Sequence, residues 1–367
     1  MLIEYMLYFY GAVCVSMIIF NLVYSLILRR SEPRMKKRQR HLEAAMDLQL
    51  ERLRQGLPVE ARHCIYLQRR LRRVQNLGAF DMALRSRLRD KDEPLMKAYL
   101  AALQPSILYL TMVYRKRETT QAAYFSYFLS QYMLREHMHI QTLQDLLLSY
   151  MKKNSLYCRV NALQALCAFG SPEYLVSALH IQDGSSVFIH EKILTEALLS
   201  YTGEHSRLIS LLLEKLDSFS VHTQLAILNY IRFCSGGYCR EMFAIMEDKS
   251  RDKELRLSAI RYFGRYSYPP ALERLLSFAS DRDPAHWEYA TVAVSSLARY
   301  RGEEVVDALK QALHSSNWYV RSAAAAGLQA QGLDYSRFMD IMGGSDRYAR
   351  EMLSYQLESH SFQKAGV

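Results

Sequence analysis

The chain opens on 24 consecutive positions without a charged side chain, residues 5–28, YMLYFYGAVCVSMIIFNLVYSLIL. As a helix this stretch reaches about 36 Å at 1.5 Å per residue, enough to cross a hydrocarbon core of about 30 Å. Tyr5, Tyr8, Phe9 and Tyr10 stand near one end and Tyr24 near the other, where interfacial aromatic residues are expected. The pattern predicts one retained transmembrane helix over residues 1–28. A cleaved leader fits less well. The basic residues follow the apolar stretch instead of preceding it, no small-x-small site closes it, and it is too long. A buried apolar helix is the remaining alternative.

Beyond this stretch the spacing becomes amphipathic. Leu42, Met46, Leu50 and Leu53 recur at four, four and three, which predicts a helix over residues 41–56, broken by Gly56 and Pro58. Residues 60–77 predict a second helix, with Ile65, Leu67, Leu71 and Val74 as its apolar positions. Residues 93–103 and 119–133 predict two more, with Pro105 opening another between them. Residues 92–139 read as an N-terminal cap or as divergent repeats, Ala122 to Phe128 being the most repeat-like part.

From about residue 140 to 357 the chain repeats itself. Ala162, Leu194, Ala226, Ala259, Ala293 and Ala324 follow one another at 32, 32, 33, 34 and 31 residues. Four positions after each anchor stands a large apolar residue: Leu166, Leu198, Tyr230, Phe263, Leu297 and Leu328. Seven positions after stand Phe169, Tyr201, Phe233, Tyr266 and Tyr300, and Gln331 breaks the series. These offsets share one helical face. A second amphipathic stretch precedes most of them, separated by turns such as Lys153-Asn154-Ser155, Asp248-Lys249-Ser250 and Ser315-Ser316-Asn317. The predicted unit is a helical hairpin of about 32 residues, and stacked hairpins of this period make an all-α solenoid. Residues 348–357 predict a truncated closing helix, and residues 358–367 a frayed tail.

Leu255-Arg256-Leu257-Ser258-Ala259-Ile260 and Trp318-Tyr319-Val320-Arg321-Ser322-Ala323-Ala324 resemble the start of the second helix in HEAT repeats of the short, phycobilisome-lyase-like type, as does Tyr157-Cys158-Arg159-Val160-Asn161-Ala162-Leu163. Arg159, Arg256 and Arg321 each fall three residues before their anchor. The resemblance implies that this arginine reaches the inter-helix turn. Glu191, Thr223 and Ala290 take its place in the other units, where the motif is degenerate. The resemblance covers residues 140–357. It is specific for architecture and implies a binding surface more than a chemistry.

Charge changes the picture at one place. Half of the 367 residues are hydrophobic and 23% are charged, which excludes a disordered chain. Six Cys without dense spacing exclude a disulfide scaffold. The net charge of +10 invites a nucleic-acid reading until it is located. Residues 29–91 carry 18 Lys and Arg against 7 Asp and Glu, whereas residues 92–367 carry 29 of each sign. The excess therefore lies directly behind the apolar stretch. Arg29, Arg30, Arg34, Lys36, Lys37, Arg38 and Arg40 come first, and Arg69, Arg70, Arg72 and Arg73 follow on the second predicted helix. The positive-inside rule then places the C-terminal side in the cytoplasm. Two readings of the band stand: a surface for anionic lipid headgroups or an acidic partner, or a topology signal followed by a solvated helix face.

Motifs of catalysis are sparse. No phosphate loop, dinucleotide fingerprint, nucleophile elbow or zinc-protease motif is present. Cys234 and Cys239, like Cys158 and Cys167, read as reduced thiols of helical hairpins rather than as a zinc site. His137 and His139 are two apart, a poor helical chelate. Gly184-Ser185-Ser186 reads as a turn. No catalytic residue, cofactor or metal is expected. Trp287, Trp318 and Tyr319 lie near the starts of second helices as candidate partner anchors, against the plainer reading that they pack the hairpins.

The expected protein is thus a single-span, cytoplasm-facing scaffold at a bacterial inner membrane. Its HEAT-like surface would bind a partner in a membrane complex. By resemblance to membrane-anchored bacterial HEAT proteins, that complex would include a polysaccharide-synthesising glycosyltransferase. The alternatives are a HEAT-like lyase or other enzyme, and nucleic-acid binding through residues 29–91.

Overall fold

The computed structural model describes residues 2–88, 93–117, 119–132 and 141–365, with side chains for 5, 6, 8–25, 32–88, 93–117, 119–132 and 141–358. His137 and His139, and the side chains of Arg29 and Arg30, lie outside the described residues. Among the described residues every regular element is a helix. The chain forms two compact units, residues 1–188 with 200–204, and residues 189–199 with 205–367.

The first unit begins with α1, Leu2–Arg54, which runs unbroken for 53 residues through Pro33. The apolar stretch and the helix expected over residues 41–56 are therefore one helix. An internal proline costs a helix one hydrogen bond, about 3 kcal/mol, and the surrounding Arg and Lys are good helix formers. Gly56, at φ +74, ends it. The Leu57 N–H donates back to the Arg52 carbonyl at 2.9 Å, a closing turn that a left-handed glycine permits.

The helix expected over residues 60–77 is two, α2 (Ala61–Arg70) and α3 (Val74–Leu88). Tertiary contacts decide the break. Asn76 Nδ2 donates to the Arg70 carbonyl at 2.9 Å and the buried Tyr114 hydroxyl to the Leu71 carbonyl at 2.7 Å, so the carbonyls freed by the break are satisfied.

After α4 (Glu93–Ala102) come α5 (Gln104–Arg115), α6 (Thr119–Tyr132), α7 (Gln141–Met151), α8 (Leu156–Phe169) and α9 (Pro172–Asp183). α2, α5, α7 and α9 pack in succession, and α1, α3, α6 and α8 form a second layer. Leu42, Met46 and Leu50 of α1 are buried, on the half of the helix that meets α3 and α4. The basic segment packs into the helical stack of this unit, α2 against α5 and α3 against α6.

The second unit has α10 (Glu191–Leu199), α11 (His205–Glu214), α12 (Val221–Cys234), α13 (Cys239–Glu247), α14 (Lys253–Phe263), α15 (Pro269–Ala279), α16 (Trp287–Leu297), α17 (Glu303–Ala312), α18 (Trp318–Ala330), α19 (Met339–Met342) and α20 (Arg347–Ala365). The even-numbered helices form an inner layer in which each packs on the next. All six anchors, and all six residues four positions later, are fully buried. The five alanine anchors let the helix axes approach, and the large residues, Leu194 among them, fill the space.

The third position is less uniform. Phe169, Tyr201 and Tyr300 are buried, but Phe233 is 44% exposed and Tyr266 half-buried. α14 ends at Phe263, whereas α12 continues to Cys234, so the last turn of α12 projects beyond its neighbour.

Many of the 26 Tyr tie one hairpin to the turn of another. The Tyr150 hydroxyl donates to the Thr111 carbonyl at 2.8 Å, Tyr201 to Gly170 at 2.9 Å and Tyr262 to Ser235 at 2.9 Å. Each ring adds buried area while its hydroxyl bonds a backbone carbonyl, at the caps of α8 and α12 for Gly170 and Ser235 and within α5 for Thr111.

Candidate interaction surfaces

The apolar half of α1 is unlike any other helix of the chain. Its Tyr8–Ser25 segment has a mean hydropathy of 1.5, is long enough to cross a membrane, and buries none of its residues. Tyr8 is 76% exposed and Phe20 68%.

Just beyond it, Arg34, Lys37, Arg38 and His41 recur at helical spacing along one flank of α1. They face Tyr66 and Arg70 of α2 across a hollow of about 250 Å³. The Arg70 guanidinium lies 5.8 Å from the centre of the Tyr66 ring, and Arg38 Nη1 donates to Gln75 Oε1 at 2.7 Å. A second hollow, of about 600 Å³, shares Tyr66 and Arg70 and adds Arg62, Arg69 and Arg73. Among the described residues no carboxylate lines either hollow. The fold thus gathers Arg34, Lys37, Arg38, Arg69, Arg70 and Arg73 around two adjoining cationic concavities of a size that admits phosphate. Lys36, Arg40 and Arg72 are exposed and line neither.

The repeat arginines bond to turn backbone. Arg159 is buried; its Nε donates to the Lys153 carbonyl at 2.7 Å and its Nη1 to Gln182 Oε1 at 3.1 Å. Arg256 Nε donates to the Met246 carbonyl at 3.0 Å, and its guanidinium lies 5.0 Å from the Tyr289 ring centre. Arg321 Nη1 donates to the carbonyls of Ser315 at 2.6 Å and Ser316 at 3.0 Å. Arg350, which donates to the Gly344 carbonyl, is a fourth member that the sequence reading missed. The signal was a buried Leu353 three positions on, obscured because it follows Ala324 by only 29 residues.

Trp287, Trp318 and Tyr319 come together. The Trp287 and Tyr319 rings stack at 5.3 Å, and Trp318 meets Tyr319 edge-on at 5.2 Å. Trp318 and Tyr319 are each 56% exposed, and Trp287 is half-buried. One aromatic patch therefore covers the starts of α16 and α18.

Of the thiols, Cys158 and Cys167 are buried. Burial pushes the Cys167 thiol up to about 12, which leaves it unreactive near neutral pH. Cys234 and Cys239 are half-buried; Cys234 Sγ lies 3.5 Å from His205 Nδ1. Among the described residues no three His, Cys, Asp or Glu side chains are placed to share a metal ion. Ser185 Oγ accepts from the Val187 N–H at 3.0 Å, a turn bond.

No curated protein matches the chain. Residues 241–329, which run from α13 to α18, match the model of the HEAT repeats family.

Proposed function

We propose that this protein is a membrane-anchored scaffold that acts by binding rather than by catalysis. The observation that carries the reading is the joining of two surfaces in one helix. In α1 an apolar, wholly exposed segment of membrane-spanning length runs without a break into a cationic flank. In water such an apolar patch is a liability; in a bilayer it is an anchor. The positive-inside rule puts the cationic flank and everything after it in the cytoplasm. There its two hollows lie within headgroup reach of anionic lipid, at about 1 kcal/mol per cation. HEAT repeats generally present extended surfaces to other proteins. Anchoring raises the effective concentration of a partner confined to the same membrane. An integral membrane protein of a bacterial inner membrane, such as a polysaccharide-synthesising glycosyltransferase, is the partner class this reading favours.

The test is purification of the full-length protein from native membranes in mild detergent. The expected result is recovery from the membrane fraction with a stoichiometric companion. A protein found in the soluble fraction, or one that leaves the membrane alone, would count against the reading.

A further inference from the structure

The register that buries Ala226, Ala259 and Ala293 places the same residue type six positions later in each unit: Arg232, Arg265 and Arg299. Their helices are neighbours, α12 packing on α14 and α14 on α16. The three side chains therefore leave the same end of one helix layer. Arg261, about one turn before Arg265, stands on the same stripe. Helix C-termini favour cations by about 0.3–1 kcal/mol each, which accounts for one arginine per helix end. It does not account for their crowding. Arg232 is half-buried; burial first, and then the charges of Arg261 and Arg265, hold its guanidinium below the ordinary value.

No carboxylate pairs with these four arginines among the described residues. Elsewhere the same unit does supply carboxylates to its cations, as in Arg251–Asp217, Lys253–Glu288 and Lys310–Asp340. At the α12 end of the stripe is the exposed Phe233 ring, with the Arg232 guanidinium 4.8 Å and the Arg265 guanidinium 5.6 Å from its centroid. A ring that holds cations over its face fixes their orientation while leaving their donors open.

We propose that Arg232, Arg261, Arg265 and Arg299, a cationic stripe along one end of the inner layer with Arg232 and Arg265 over the Phe233 ring, form the docking site for an acidic segment of a protein partner. Asp and Glu side chains suit the planar guanidinium fork, which takes a carboxylate through two hydrogen bonds, and an apolar residue of the segment seats beside Phe233. Three helices at spacings of about 8–10 Å make the ridge about 20 Å wide, the reach of about six extended residues. A protein segment fits better than a nucleic acid. The inner-helix stripe also carries Glu254 and Glu288 near its other end, so a longer polyphosphate would run onto carboxylates. The proposal rests on the scaffold reading and deepens it by naming the face and the chemistry of the partner.

The test uses the full-length protein in detergent micelles. The probes are a fluorescent octapeptide of alternating Glu and Asp around a central Leu, its Gln/Asn counterpart, and a single-stranded DNA 20-mer. The acidic peptide is expected to bind at least tenfold tighter than the neutral one. The Arg232→Gln/Arg265→Gln/Arg299→Gln variant should lose at least tenfold, and Phe233→Ala a smaller factor. An Arg240→Gln/Lys249→Gln/Arg282→Gln variant, which removes the same charge from exposed positions elsewhere in the same unit, should bind as the parent does. Relief of mutual repulsion should leave the ridge variant's Tm unchanged or raised. Equal binding by parent and ridge variant, no preference for the acidic peptide, DNA bound more tightly than peptide, or a lowered Tm would each overturn the proposal. The two readings also fail separately. A native companion that stays with the ridge variant sinks the ridge and leaves the scaffold standing. Absence of any companion sinks the scaffold, while the peptide titration still decides the ridge.

Discussion

The first half of α1 and the inner helices of the repeats are both rich in apolar residues, and they treat them in opposite ways. α14 buries Leu255, Leu257, Ala259, Ile260, Tyr262 and Phe263 and exposes Arg261. The Tyr8–Ser25 segment buries nothing, and Val15, Ile18, Ile19 and Phe20 are each more than half exposed. The difference lies in arrangement more than in amount. A helix with polar residues on one side has a face to turn to water and another to turn to its neighbour. A helix segment that is apolar all round and buries none of its described residues is what the proposed membrane anchor requires.

The strongest way to break this comparison is to truncate one ring on each side of it. Phe263→Ala removes a fully buried side chain and should destabilise the second unit by about 3–5 kcal/mol, whereas Phe20→Ala, with its ring 68% exposed, should leave unfolding unchanged. Denaturant melts of both variants in detergent would show it. Equal effects would mean that the apolar half of α1 packs on the repeats after all.

A second difference concerns buried polar groups. His63 is buried against the Tyr99 hydroxyl, 2.8 Å from its Nε2. Burial holds the imidazole down, from 6.5 to about 4, against the opposing pull of Glu60. The unfolded chain therefore binds a proton on this group at a higher pH than the folded one does. Its contribution is intact above pH 6.5 and is lost as the pH falls towards 4, by about 3 kcal/mol at most. Thermal melts between pH 7 and 4 should show this loss, and His63→Gln should flatten the part of it that belongs to this group. An unchanged slope would place the acid sensitivity elsewhere.

Charge within the span gives a comparable effect on insertion. Ile18→Arg puts a cation near the middle of the segment, at about 2.5–3.5 kcal/mol, and should move part of the protein from the membrane pellet to the soluble fraction. The same change at the exposed Val221 of α12 should leave partitioning unaltered. A smaller effect is expected from Arg321→Met, which removes donors from the Ser315 and Ser316 carbonyls and should cost about 1–2 kcal/mol by chemical denaturation. Trp318→Ala, by contrast, should leave stability within about 0.5 kcal/mol.

Much of the fold was legible because a repeat imposes the same packing problem several times over. Ala162 through Ala324 each sit where an inner helix meets its neighbour, so alanine recurs at five of these six contacts, with Leu194 the exception, and the buried residue four positions later follows from helix geometry. The register failed where hairpins change length. Arg350 went unseen because the last interval is short, and Phe233 was misplaced because α12 outruns α14. The basic segment could be found by counting charge, yet nothing local shows that α1 is continuous through Pro33 or that residues 60–77 break at Leu71. A proline and the absence of a breaker argued the opposite.

What the sequence determined by itself is therefore whatever periodicity and composition encode: one apolar segment of membrane length, one cationic band behind it, and a series of helical hairpins with a shared core face. What only the tertiary structure decided is which side chains meet across that series. The arginines of two helices close around Tyr66, Trp287 stacks on Tyr319, and the guanidiniums of Arg232 and Arg265 approach the ring of an exposed phenylalanine. Helical spacing sets the direction of a side chain about its own axis, but which neighbouring helix it meets, and where that neighbour ends, depends on hairpin lengths summed along the chain.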